Sequence, residues 1–380
     1  MKSKHITFVV AALFLLGITA CTSSSEELLI DRLDVETLVN PIVQNITTGN
    51  EIRAWTYSDT EIVGFGGTYA FYTPNKFDSL YAVAEGASLP DNIIYNSFEQ
   101  IVSRQDVSDG VFLRYSEDFG ATYNIFLHLY KNYITNGSIQ GVHNYGPMAF
   151  LGKDLGWIFS YYTTNSISDT LSTGIKVYRA ILNAGTGQSE TFLLAELSAE
   201  YTPVDALFFN TFSGWLLVKN NIGSYVYRTA DGGTTWSGPF AITTNSNSID
   251  KLHSVDLLNV YAYSQSSAYV YYSKDAGQTW LKANMQMAEF NHTGISDMYA
   301  VNEQTAYCVA NVETDEVAVI SDIYKTTDGG ANWQKANNRD MYGYYIDFWD
   351  ENIGLTTSRN VLEYTTDGGQ TWDVLVYPIP

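Results

Sequence analysis

Apolar residues in this chain fall in short runs, each broken by a polar turn and followed by a small residue and then a large one. The pattern is clearest in "MAFLGKDLGW" from Met148, "ALFFNTFSGW" from Ala206, "MYAVNEQTAY" from Met298 and "IDFWDENIGL" from Ile346, which align without gaps. The small–large pairs are Gly156-Trp157, Gly214-Trp215, Ala306-Tyr307 and Gly354-Leu355. Runs of this length bounded by turn residues predict two strands joined by a tight turn. Long helical patterns and long proline-rich linkers are absent. Units of this kind begin near Arg53, Ile93, Met148, Ala206, Val255, Met298 and Ile346, which gives seven.

A second pattern follows the first. "TADGGTTWS" starts at Thr229, "SKDAGQTWL" at Ser273, "TTDGGANWQ" at Thr326 and "TTDGGQTWDV" at Thr365. A fifth copy, "SEDFGATY" at Ser116, has Tyr123 in place of tryptophan. Their aspartates, Asp231, Asp275, Asp328 and Asp367, recur about every 40–50 residues, with Asp118 about two intervals upstream. The missing copy falls at "ILNAGTGQSETF", where Asn183 stands for the acid, and a weaker one around Asn75. A catalytic group is normally needed once, so this repetition points to architecture. The hydroxyls (Ser116, Thr229, Ser273, Thr326, Thr365) are expected to bond locally across a turn, and the carboxylates to accept from turn amides. The glycines (Gly120, Gly233, Gly277, Gly330, Gly369) allow a positive φ. The aromatics (Tyr123, Trp236, Trp280, Trp333, Trp372) are expected to open the fourth strand of each unit and wedge between sheets.

Ser/Thr-x-Asp-x-Gly-x-Thr-Trp resembles the Asp-box, or BNR, repeat of sialidases, sortilin-type receptors, xyloglucanases and Ycf48-like photosystem II assembly factors. The chain looks most like the last group. The resemblance implies an all-β fold: a single β-propeller of four-stranded antiparallel blades over residues 51–380, seven-bladed with six as the alternative. Metal loops need several oxygen ligands at alternate positions, and this motif offers one carboxylate, so no metal or other cofactor is expected.

The N-terminus changes the picture of location. Two lysines precede an apolar run from Ile6 to Leu16, too short to span a bilayer and suited to a signal peptide. The run ends Ile18-Thr19-Ala20-Cys21, which resembles a bacterial lipobox. The expectation is a signal peptide over 1–20, lipidation at Cys21 and a tether over 21–50. Glu26 and Glu27 loosely resemble a surface-export signal, so the expected location is the outer membrane, with outward display implied. The only other cysteine is Cys308, so stability must come from burial, which a 45% hydrophobic and 14% aromatic composition supplies. With 41 acidic and 20 basic residues, the formal charge is −21. That balance disfavours nucleic acid and anionic headgroups, leaving membrane contact to the lipid anchor alone.

Little chemistry remains for catalysis. Sialidases, by resemblance, need three arginines on a substrate carboxylate, an Arg-Ile-Pro element and a tyrosine–glutamate pair. The nearest element here is "EIRAWTY" at Arg53, and Arg114, Arg179 and Arg228 each precede an Asp-box, with Lys325 equivalent. They read as one repeated rim feature. Glu313, Asp315 and Glu316 read as a solvated loop, and His128, His143, His253 and His292 show no metal-ligand spacing. Trp349, with Tyr342, Tyr344 and Tyr345, is the candidate ligand-binding group, expected around one mouth of the central channel. The reading is a non-enzymatic, monomeric cell-envelope lipoprotein that binds an envelope protein or glycan through loops on one face. The alternative is a glycoside hydrolase or lyase of sialidase-like fold with divergent acids.

Overall fold

The computed structural model describes residues 53–56, 61–66, 69–73, 81–85, 93–96, 100–118, 120–135, 138–163, 174–183, 188–245, 248–286, 292–312, 320–337, 341, 343–358 and 361–376. The lipobox, Cys21, the tether, Asn75, the 313–316 acids and Tyr342 lie outside these residues.

The described residues form seven antiparallel sheets, each built from consecutive strands. The first strands are Arg53–Thr56, Ile93–Asn96, Ser138–Phe150, Thr202–Phe208, Lys251–Ser254, His292–Ala300 and Tyr345–Phe348; six of the seven starts read from the sequence fall on them, while Val255 follows the end of Lys251–Ser254. From the second sheet to the seventh these strands pack against one another in order, and Arg53–Thr56 packs on Tyr345–Phe348. The sheets are therefore blades of a propeller, with first strands innermost and the first blade set against the seventh.

One blade departs from expectation. Blade 3 has five strands, because Asn132–Thr135 pairs with the first part of its long innermost strand. The second strand, Leu155–Thr163, pairs with the later part, Val142 to Phe150. The addition extends the blade at the end opposite its third-to-fourth turn. The same blade lacks an Asp-box, and its third strand, Ile175–Asn183, pairs directly with Gln188–Leu197.

The core lies between blades. Val102, Leu113 and Phe126 of blade 2 meet Met148, Phe150 and Ile158 of blade 3. Equivalent clusters join blades 3 and 4, 4 and 5, 5 and 6, and 6 and 7. The small–large signature serves these clusters. A Cβ on Gly214 would come within 2.6 Å of the Phe208 ring, so the small residue makes room for the aromatic at the end of its own first strand. The large residue then reaches forward: Trp157 stacks on Phe208 of the next blade at 3.6 Å, and Tyr307 on Phe348 at 3.7 Å. Trp157 and Tyr307 are both fully buried.

Ring closure uses no exchanged strand. Thr56 donates from its backbone N and its Oγ1 to Asp347 Oδ2, both at 2.7 Å. Arg53 donates to the Tyr345 hydroxyl at 2.5 Å and lies 4.3 Å from the centre of that ring.

Candidate binding face

The Asp-box turns are the repeated chemistry, and their hydrogen bonds repeat from blade to blade. Thr365 Oγ1 donates to Asp367 Oδ1 and accepts from Gly369 N, both at 2.9 Å. Asp367 then accepts from Thr371 N at 2.9 Å and Thr371 Oγ1 at 2.6 Å. The same bonds recur around Asp118, Asp231 and Asp275. In blade 6 Asn332 supplies the amide and side-chain donor to Asp328. The carboxylate thus takes hydroxyl as well as amide donors, and the residue before the tryptophan has a role that the sequence reading left unassigned. These bonds to the charged form outweigh partial burial and hold Asp275, Asp328 and Asp367 below the usual carboxylate range. Asp231 is held down mainly by the Thr235 hydroxyl. Gly368 and Gly369 have φ of 72° and 87°, in the region that side chains resist.

Each Asp-box tryptophan immediately precedes its blade's fourth strand. It closes onto its own turn: Trp236, Trp280, Trp333 and Trp372 each donate the indole N–H to the carbonyl of the motif glycine, at 2.9–3.0 Å. Neighbouring blades are then latched to these turns. Trp157 Nε1 donates to Gly232 O and Trp215 Nε1 to Ala276 O, both at 2.8 Å, and the Tyr307 hydroxyl reaches Gly368 O at 3.2 Å. The rim cations repeat the arrangement. Arg179 donates to Gly232 O at 3.0 Å, Arg228 to Asp275 O at 3.4 Å, Lys274 to Asp328 O at 3.1 Å and Lys325 to Gly368 O at 3.4 Å. These groups bridge blades; they do not converge on a ligand.

The chain is an Asp-box β-propeller. Residues 186–345 match the family model described as photosynthesis system II assembly factor YCF48, and residues 363–374 match the BNR/Asp-box repeat. No curated protein matches the chain. Among solved structures, YCF48 from Cyanidioschyzon merolae is similar, with a TM-score of 0.51 and 12% identity over 86% of this chain and 98% of that one. A GH74 xyloglucanase from Xanthomonas campestris gives 0.52 and 10% over 88% of this chain and 56% of that one. A puromycin-hydrolyzing peptidase from Mycobacterium tuberculosis gives 0.52 and 9% over 89% and 55%. The propeller spans little more than half the length of either enzyme, and at these identities the likeness is one of fold.

The acids and histidines of the innermost strands are also structural. Asp205 accepts from Leu252 N at 2.9 Å, Asp297 from Ile346 N at 3.0 Å and His253 Nε2 from Ala300 N at 3.0 Å. Each ties one blade to the next. His292 and Lys335 bond the buried Asp322 at 3.2 and 2.6 Å. Among the described residues no group of three or more His, Cys, Asp or Glu is arranged to hold a metal.

The propeller does not bring the candidate aromatics together. Tyr344 and Tyr345 lie at the start of the innermost strand of blade 7, and Trp349 follows its far end. Four extended residues separate them, roughly 13 Å of strand. Tyr345 is engaged by Arg53 in ring closure. Trp349 stays on the face that carries the Asp-boxes, because first-to-second and third-to-fourth turns share one end of an antiparallel blade.

That face also carries exposed apolar side chains, as do outer strands and the opposite end of the blades. Each first-to-second turn in blades 4–7 is an Asx turn: Asn210, Asp256, Asn302 and Asp350 accept from the amides two and three residues on, at 2.7–2.9 Å. The Asp-box of the same blade then donates to the turn: Gly232 N to Phe212 O at 2.8 Å, and Ala276 N to Leu258 O, Gly329 N to Gln304 O and Gly368 N to Asn352 O at 2.9 Å. The backbone is the same in all four turns. The side chain at the bonded position is Phe, Leu, Gln or Asn, so the fold does not dictate it. Phe212 is 65% exposed and Leu258 56%, with Leu257 exposed beside it and Trp349 on the turn of blade 7. The sequence reading named Trp349 and did not single out Phe212 or Leu258. Their signal was a turn residue that changes from repeat to repeat while its neighbours stay fixed.

Proposed function

We propose that this propeller is a non-enzymatic scaffold of the cell envelope that binds a protein partner through the turns of its Asp-box face. The observation that carries the reading is the pair of exposed apolar residues, Phe212 and Leu258, on hydrogen-bonded turns of adjacent blades. Water-exposed apolar side chains held on a rigid frame lose little conformational freedom on docking, as binding anchors require. Leu257 and Leu258, beside the Phe212 ring, suit apolar side chains of a protein better than a sugar face, which favours protein over glycan. The match of residues 186–345 to a family described as an assembly factor supports a role in holding other proteins. Lipidation at Cys21 would tether the scaffold to the outer membrane, as the lipobox-like Ile18-Thr19-Ala20-Cys21 suggests.

A photo-crosslinking amino acid placed at position 212 tests this, with position 222 as control. Ile222 is equally exposed but lies on the second-to-third turn of blade 4, at the opposite end of the blade. In envelope extract the 212 variant should form a protein adduct and the 222 variant should not. Equal adducts, none at 212, or turnover of a glycoside by the purified protein would overturn the reading.

A further inference from the structure

The outer hairpin of blade 5 breaks the repeat beside its Asp-box. In all five motif-bearing blades the last-but-one residue of the third strand pairs with the first residue of the fourth: Tyr115 with Asn124, Arg228 with Ser237, Tyr272 with Leu281, Lys325 with Gln334 and Tyr364 with Asp373. Of the five fourth-strand partners only Leu281 is apolar, and it is 60% exposed. Blades 4 and 6 place a cation opposite, Arg228 or Lys325, which bonds the next blade. In blade 5 that task passes two residues on to Lys274, which donates to Asp328 O at 3.1 Å. The Tyr272 ring takes the cation's place on the rim, half-buried.

Tyr272, Lys274 and Leu281, with Ser273, Asp275 and Thr279 of the Asp-box, surround a notch of about 240 Å³. That is below the roughly 300–1,000 Å³ of small-molecule and cofactor sites, and suits one side chain. The Ser273 and Thr279 hydroxyls both donate to Asp275, at 2.8 and 2.7 Å, so they are spent within the turn. Lys274 and Asp275 stand side by side at its edge and favour neither sign of charge. What the notch offers is a tyrosine ring and a leucine side chain. It is continuous with the apolar tips, because Ala276 N of the same turn donates to Leu258 O at 2.9 Å.

We propose that this notch takes one apolar or aromatic side chain of a protein partner as the anchor of docking, which rests on the reading of the Asp-box face as the docking surface. A charged side chain there would lose water without gaining a counter-ion. A sugar would bring hydroxyls to donors and acceptors that are already engaged.

The probes are the N-acetyl amides of phenylalanine, leucine, lysine and glutamate, and methyl glucoside. Each is titrated against the full chain carrying a single 3-fluorotyrosine at position 272, followed by fluorine NMR. The phenylalanine and leucine amides should shift the resonance and saturate at about millimolar concentration, as ligands of this size allow; the other three should leave it in place. Leu281→Gln supplies the side chain that blade 6 carries at this position, so the variant should melt as the parent does. It should abolish the shift and lower the yield of the adduct formed at position 212 about tenfold. No shift with the two apolar amides, an equal shift with any of the other probes, or an undiminished shift in Leu281→Gln would overturn the chemistry of the notch. An unchanged adduct yield in Leu281→Gln would overturn its part in docking. If position 212 crosslinks and the apolar probes fail to bind, the docking face stands and the notch falls. If the probes bind and nothing crosslinks at 212, the notch stands as an apolar site and the docking reading falls.

Discussion

At the scale of single residues, the Asp-box works by holding a carboxylate in its charged form. Asp367 accepts two hydroxyls and an amide, so Asp367→Ala leaves those donors without their acceptor and should cost about 1–3 kcal/mol. Thermal denaturation reads that loss, and partner binding per folded molecule should not change. The pH dependence follows from the same bonds. A carboxylate with a lowered folded pKa stabilises the protein above its unfolded value of about 3.9, and that stability is lost as pH falls through the folded value. Melting temperature should therefore drop steeply below about pH 4, and less steeply in Asp367→Asn. His253 acts in a higher window. Loss of water around its ring holds the imidazole below the ordinary histidine range, so it stays neutral in the fold and accepts from Ala300 N at 3.0 Å. The unfolded chain takes up that proton below about pH 6.5, and stability falls with it. His253→Gln keeps an acceptor without titrating, and melts taken between neutral pH and pH 5 should show a shallower slope.

At the scale of elements, what the sequence revealed was what it repeated. The Asp-box turns and the small–large second strands were legible because the same physical demand recurs in each blade: a tight turn with positive φ, and space for an aromatic from the first strand. The donor role of Thr371 and its counterparts was in plain view within the motif, yet only coordinates show which oxygen it meets. The fifth strand of blade 3 was overlooked although Asn136-Gly137, a strong hairpin dipeptide, stands between its two partners in the sequence. Trp349 and Tyr344 looked like neighbours along the chain, but a strand separates its ends, and the two sit at opposite mouths. Phe212 and Leu258 were illegible to motif reading because their turn position does not repeat. The latch between blades makes its own prediction. Trp157 is fully buried, stacks on Phe208 and donates to Gly232 O. Trp157→Phe should cost about 1 kcal/mol for the lost hydrogen bond, and Trp157→Ala about 3–5 kcal/mol, as read by denaturant unfolding.

At the scale of the whole molecule, the ring closes without strand exchange. Blades 7 and 1 are each complete from consecutive strands, so closure depends on Asp347 with Thr56 and on Arg53 with Tyr345. Breaking that joint by Asp347→Ala should raise amide hydrogen exchange first in Arg53–Thr56 and Ile62–Gly66, while the strands of blades 4 to 6 stay protected. Uniform exchange across all blades would mean that the ring opens as one unit. The functional division in the proposed reading is also global: repeated residues build the ring, and unrepeated ones on the Asp-box face would meet a partner. Measuring melting temperature and affinity for the partner crosslinked at position 212, side by side for Asp367→Ala and for the combined Phe212→Ser and Leu258→Ser variant, tests that division most directly. The first should melt lower and bind normally per folded molecule; the second should melt normally and bind weakly. Loss of binding in Asp367→Ala at an unchanged melting temperature would make the Asp-box a ligand site and contradict the account.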